Sequence, residues 1–271
     1  MKTINRIAMF IATLLLFSNL SFSQEEQRPE YITVTTMHWN MDRENFSMDD
    51  WKAMEKAYMD NVTKKNEYIV SASFLMHLYT ESNSDLLYVQ SYKTWADIEK
   101  AQKRNGELEA EAWPNEEERN NYFKDRDNYY SAYHSDEIYA NMPGEKHMSA
   151  APTDDMVLYV RKSHFAFPEN GSDEEFMKYH MMWADNIVAN NDKIKAYYPS
   201  AHAWGSDKTE FVEAFFVDSL ADLENLNESN GELFQSKMTE EQRKDMGENF
   251  GKYFTGEHGD YIYTFIHDVR K

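Results

Sequence analysis

Asn105-Gly106-Glu107-Leu108 occurs twice in this chain, the second time as Asn230-Gly231-Glu232-Leu233, 125 residues later. The surroundings move with it. Thr94-x-x-Asp97 returns as Ser219-x-x-Asp222, Ser47-x-x-Asp50 as Ser172-x-x-Glu175, and His77 as His202, all at the same spacing. His38 answers to His164 at 126 and His134 to His258 at 124. Single insertions in loops produce such drifts. The sequence therefore reads as two copies of one unit of roughly 115 residues.

Each copy repeats one order of elements. Tyr31 to Trp39 is β-branched and aromatic and predicts a strand. Ser47 caps a helix whose apolar stripe is Trp51, Met54, Tyr58 and Val62. Tyr68 to Tyr79 and Leu86 to Tyr92 are two further strands separated by a Ser82-Asn83-Ser84 turn. Thr94 caps a second helix, expected to stop at Asn105-Gly106 because glycine suits a left-handed C-terminal position. Pro114 opens a third helix, and Ile138 to Met142 is a short fourth strand. In the second copy the strands are Met156 to Phe165, Ile194 to Trp204, Phe211 to Val217 and Tyr261 to His267. Its helices are Ser172 to Ala189, Ser219 to Glu228, and a long one behind the capping box Thr239-x-x-Gln242.

Lys2 and Arg6, the uncharged run Ile7 to Phe17, and Ser21-Phe22-Ser23 before Gln24 have the layout of a secretory signal peptide. The apolar run is too short for a permanent membrane helix. The chain has no cysteine, which rules out a lipidated cysteine at the cleavage site and disulfides in the exported product. A periplasmic or secreted location is expected. Of 271 residues, the 23 of the leader leave 248, enough for one large core or two ordinary ones. The formal charge is −20, and losing the leader's two basic residues leaves −22. Such a surface repels phosphate backbones and anionic membranes, so nucleic acid is a poor partner. The boundaries expected are a leader at 1–23, a polar tail at 24–30, a first unit at 31–146, a linker at 147–153 and a second unit at 154–271.

The order β-α-β-β-α-α-β builds a four-stranded antiparallel sheet with helices on one face, a ferredoxin-like unit of the α+β class. The other face needs cover, and the second copy can provide it. Here the chain resembles the dimeric α/β-barrel superfamily, which includes antibiotic-biosynthesis-monooxygenase-like and NIPSNAP-like domains. The resemblance rests on element order, tandem duplication and the additional helix before the last strand. It implies two ferredoxin-like sheets packed sheet to sheet around a shared cavity, a pseudo-dimer within one chain, with a further oligomer open. That superfamily hosts cofactor-free oxygenases, haem enzymes, isomerases and proteins without known chemistry, so fold alone does not choose a function.

The chain has no G-x-S-x-G, H-E-x-x-H, P-loop or G-x-G-x-x-G motif. Histidines remain. His77 and His202 share a strand face with Tyr79 and Trp204, and the neighbouring strands are expected to add Tyr88 and Gln90, and Phe211 and Glu213. These eight residues are the candidate ligand cavity, with His77 and His202 as candidate acid or base. They read equally as a packed interface with a few satisfied polar groups. His38, His134 and Asp136, with His164, His258 and Asp260, are expected at strand ends, as hydrogen-bonded pairs or as a metal site. His180 reads as a solvent-facing helical histidine, with haem ligation as the alternative. No cofactor is expected, although neither haem nor a metal is excluded. The sequence thus carries three readings: an exported small-molecule binder, a cofactor-independent oxygenase or isomerase, and an interaction module with a filled interior. Cleavage after Ser23 is the first testable outcome. The intact mass of the exported protein should begin at Gln24, and retention of residues 1–23 would overturn the export reading.

Overall fold

The computed structural model describes residues 29–271. The expected leader, and the tail up to residue 28, lie outside the described residues. Eight strands are described: β1 (Tyr31–Trp39), β2 (Ile69–Tyr79), β3 (Asp85–Tyr92), β4 (Tyr130–Asn141), β5 (Met156–Phe165), β6 (Ala196–Trp204), β7 (Glu210–Val217) and β8 (Phe254–Arg270). The helices are α1 (Met48–Asn61), α2 (Trp95–Ala112), α3 (Glu116–Asp127), α4 (Asp173–Trp183), α5 (Leu220–Glu224), α6 (Leu226–Lys237) and α7 (Glu240–Asn249). The strands close into one barrel in the order β1-β3-β2-β8-β5-β7-β6-β4. Each half contributes four contiguous strands in the order fourth, first, third, second.

The two sheets do not simply face each other. They are hydrogen-bonded at both edges, β2 to β8 and β4 to β6. An exposed edge leaves a row of unpaired backbone groups, and closure removes it. The barrel interior is filled by Leu75, Leu87, Val160, Val212, Phe216 and Phe265, among others. Each buried side chain of this size contributes about 1.5–3 kcal/mol. The helices cover the outer surface, where Trp51 and Phe74 anchor one core and Phe176 and Phe211 another.

The expected cap at Ser47 forms, and Ser172 and Ser219 cap their helices likewise, each serine accepting from a backbone N–H three residues on. The capping box at Thr239 and Gln242 also forms. Thr94 is different, because its hydroxyl donates to the Asp97 carboxylate at 2.8 Å instead of accepting from the backbone. Nor does α2 stop at Asn105-Gly106. It runs on to Ala112, because burial of Leu108 and a side-chain tie at Asn105 outweigh the cost of about 1 kcal/mol for a helical glycine. That tie is a hydrogen bond from buried Asn66 Nδ2 to Asn105 Oδ1, 2.7 Å. The second half repeats it from Asn191 to Asn230, also at 2.7 Å. The repeated asparagines are thus helix-to-loop clamps. β4 begins at Tyr130, well before Ile138, since its polar first residues pair with the end of β1.

A crossed contact joins the halves. Lys146 donates its backbone N–H to Tyr197 O at 2.9 Å and its ammonium to Asn191 O and Val188 O at 2.7 and 3.2 Å. Lys271 donates to Ala72 O at 2.9 Å, and its ammonium to Asn66 O and Thr63 O at 2.6 and 3.1 Å. Each lysine serves the other half's loop. Burial lowers both ammonium pKa values. Lys271→Met removes the donor from two carbonyls and should cost about 2 kcal/mol in urea unfolding. An unchanged midpoint would show that the crossed contact carries no stability.

Candidate functional site

β1, β2, β5 and β6 all run in one direction, since each pairs antiparallel with strands of the other set. Late residues of these four strands and early residues of β4 and β8 therefore meet at one rim. His38, His77, His134, His164, His202 and His258 all belong to it. His77 shares this rim because β1 and β2 are both antiparallel to the strand between them.

Among the described residues the rim forms neither the expected His38–His134 and His164–His258 hydrogen-bonded pairs nor the alternative metal set. His134 lies opposite Met37, and His258 opposite Ser163, which puts His38 and His164 one position out of phase and on the other sheet face. Each imidazole has its own acid instead: His38 with Asp85 at 3.2 Å, His134 with Asp136 at 3.3 Å, His164 with Asp207 at 3.1 Å and His258 with Asp260 at 3.2 Å. Among the described residues, one set of three potential metal-ligating side chains lies within 4.8 Å, namely Asp155, His267 and Asp268. His267 Nδ1 already meets Asp155 Oδ1 at 2.7 Å, and Lys52 lies 3.6 Å from Asp268.

His77 and His202 do face the interior. They pair with Tyr263 and Tyr139 respectively, half-buried at the top of the filled lumen, where His77 borders a shallow rim groove with Tyr79 and Glu81. Tyr79 and Trp204 stand exposed at the rim. The upper lumen is plugged by a polar cluster that the sequence did not reveal. The Tyr139 hydroxyl lies 2.5 Å from both Glu137 Oε2 and Glu210 Oε2, and Lys162 Nζ lies 3.3 Å from Tyr139 and Glu210 and 3.5 Å from Glu137. Burial and the two carboxylates raise the Tyr139 pKa. Burial also pushes Glu137 upward, but Tyr139, Lys162 and Ser206 outweigh it and hold the carboxyl below its usual range.

Tyr88, Gln90, Phe211 and Glu213 are not in the lumen. Tyr88 pairs with Phe74 and Gln90 with Ala72, on the helix-facing side. Phe211 and Glu213 lie on the corresponding outer face of the second half, opposite Ser163 and Arg161. There they line a cavity of about 520 Å³ between the sheet and α4, α6 and α7. Its walls include Phe211, Phe215, Leu226, Phe234, Phe250 and Phe254, with Arg161 and Glu213 on its floor. Volume and lining suit a small organic ligand. Burial raises the Glu213 carboxyl, against a hydrogen bond from Tyr197 (2.7 Å) and the charge of Arg161. Arg161 escaped the sequence reading. Its signal was a charge on the same strand face as Tyr159 and Ser163.

The first half fills the equivalent layer. Tyr88 stacks on Phe74 at 4.6 Å. Arg126 clamps buried Glu55 with bonds of 2.8 and 3.1 Å, and Tyr130 donates to the same carboxylate at 2.6 Å.

His180 occupies in α4 the place that Glu55 holds in α1, and it is buried, at 1% exposure. The stripe Phe176, Tyr179, His180, Trp183 has helical spacing, and that pattern contained the signal for burial. The ring lies near Phe176 and Phe211, with Nε2 2.8 Å from Pro143 O. Burial lowers its pKa, partly offset by that carbonyl. An axial haem ligand needs a ring nitrogen directed at the iron. His180 Nε2 meets Pro143 O and leaves Nδ1, whereas His258 meets Gly256 O through Nδ1 and Asp260 through Nε2.

No protein-family model matches the chain, and no curated protein sequence matches it. Solved structures share its fold. A mutant chlorite dismutase from Candidatus Nitrospira defluvii is 10% identical, with a TM-score of 0.53, over 88% of this chain and 92% of its own. A candidate monooxygenase from Fusobacterium nucleatum is 9% identical, with a TM-score of 0.51, over 88% and 91%. One from Lactobacillus acidophilus is 8% identical, with a TM-score of 0.50, over 90% and 96%. These proteins have the dimeric α/β-barrel fold, and the likeness at such identity is one of fold.

Glu213 generates a pH test. A carboxyl raised in the folded state keeps its proton where the unfolded chain has lost it. Stability therefore falls as pH rises above the ordinary glutamate value of about 4.3 toward the raised one. Glu213→Gln removes that slope and should gain stability relative to the parent across this window, read by urea unfolding at several pH values. Parallel pH profiles would show that the carboxyl ionises normally.

Proposed function

We propose that this chain is an exported protein that binds a small, mostly apolar molecule in the cavity between the outer sheet face of its second half and α4, α6 and α7. We further propose that it arose by tandem duplication of a ferredoxin-like unit, divided at 31–146 and 154–271. The 125-residue spacing of the Asn66–Asn105 and Asn191–Asn230 clamps, and of Lys146 and Lys271, supports the duplication.

One observation carries the ligand reading. The first half closes this layer with aromatic stacking and a Glu55–Arg126 pair, whereas the second leaves about 520 Å³ around Arg161 and Glu213. A void in an otherwise packed layer forfeits contact energy. A ligand that fills it restores those contacts.

A second reading is enzymatic and rests on Glu213. A carboxyl pushed toward its protonated form in an apolar cavity can act as acid or base. The names of the monooxygenase and chlorite dismutase neighbours fit it as fold-level analogy alone. This reading moves the acid–base role from His77 and His202, at the filled lumen, to the outer cavity.

The neutral dye N-phenyl-1-naphthylamine tests the binding reading. Wild-type protein should enhance its fluorescence saturably. Ser163→Trp, which places an indole in the cavity, should weaken binding by at least about tenfold, the loss of roughly 1.4 kcal/mol. Equal binding by parent and variant would place the dye elsewhere and sink the proposal.

A further inference from the structure

The chemical class of the ligand follows from the polar groups on the cavity floor, and this inference rests on the cavity reading above. Arg161 lies on β5 between two acids of neighbouring strands, opposite Glu213 on β7 and Asp260 on β8. Both acids are otherwise engaged. Glu213 Oε1 accepts from Tyr197 at 2.7 Å. Asp260 Oδ1 accepts from Tyr159 at 2.5 Å, and its Oδ2 meets His258 at 3.2 Å.

No hydrogen bond or ion pair within 4 Å ties the Arg161 guanidinium to a described residue. It is a fixed positive charge with five N–H donors at a cavity of mainly aromatic walls. Elsewhere the fold does pair its arginines, as with Arg126 and Glu55, Arg104 and Glu67, and Arg43 and Asp125.

Glu213 makes no ion pair with Arg161, and its Oε1 is held by Tyr197. Asn230 adds a second donor. Its Oδ1 is taken by Asn191 at 2.7 Å, which leaves its amide nitrogen at the cavity wall. Glu257 at the opening is the one acid there without such a partner role, and with the strongly acidic surface it disfavours a dianion. We propose that the cavity takes an apolar organic monoanion, its skeleton among Phe211, Phe215, Phe250 and Phe254 and its anionic oxygen head group on Arg161.

A matched pair of dyes tests this. 1-Anilinonaphthalene-8-sulfonate and N-phenyl-1-naphthylamine share one ring system and differ by the anionic group. Wild-type protein should bind the anionic dye roughly tenfold more tightly, the contribution expected of charge-assisted hydrogen bonds. Arg161→Gln should abolish that preference while leaving the affinity for the neutral dye within about twofold, and Arg161→Lys should keep part of it. Retained binding of the neutral dye by Arg161→Gln also establishes that this variant is folded. Equal affinities in the wild type, or an undiminished preference in Arg161→Gln, would overturn the monoanion proposal and leave the cavity reading standing. Failure of the wild type to bind the neutral dye would bring down both.

Discussion

Edge closure is the constraint on which the structure depends. A four-stranded sheet in the order fourth, first, third, second has two open edges, with unpaired N–H and C=O groups along each. Here β2 finds β8 and β4 finds β6, so no edge of the closed barrel is left open. The pairing fixes the relative placement of the halves, sends all inward side chains to a common axis and gathers six histidines at one rim. It also leaves the helices one place to go, the outside.

Eight strands make a barrel just wide enough for side chains to fill. Leu75, Leu87, Val160, Val212 and Phe216 fill it, and Tyr139 with Glu137, Glu210 and Lys162 closes the top. The cavity lies instead in the outer layer, where helix and sheet separation depends on which side chains stand between them. In the first half these are Tyr88, Phe74 and the Glu55–Arg126 pair. In the second half Glu213 stands where Tyr88 does, and Phe250 is near the place of Arg126, so neither the ring nor the ion pair is available to close the gap.

Much of this was legible in the residues. Strand and helix order, the serine caps and the capping box follow from local chemistry, and the 125-residue spacing predicted the paired halves. The face assignments of β3 and β7 were not legible. They require knowing which residue lies opposite His77 or His202, and a shift of one position moves every side chain to the other face. Tyr88 proved to be the partner of Phe74, and Glu213 the partner of Arg161. Asn105-Gly106 misled for a related reason. As an isolated dipeptide it ends helices, but the amide of Asn66, 39 residues away, holds Asn105 inside one. The Tyr139 cluster draws on four residues from three strands of both halves, and no spacing along the chain announces it.

The crossed lysines bear on the order in which the polypeptide can mature. Lys271 meets Thr63 and Asn66 at sequence separations of 208 and 205, and β2 waits for β8 over a similar stretch. Contacts this distant are paid in loop entropy before they return anything, which makes folding slow. The amino-terminal half leaves the ribosome with both strand edges bare, and its β2 edge and loop carbonyls wait for β8 and Lys271. Completion of either half is therefore a late, joint event.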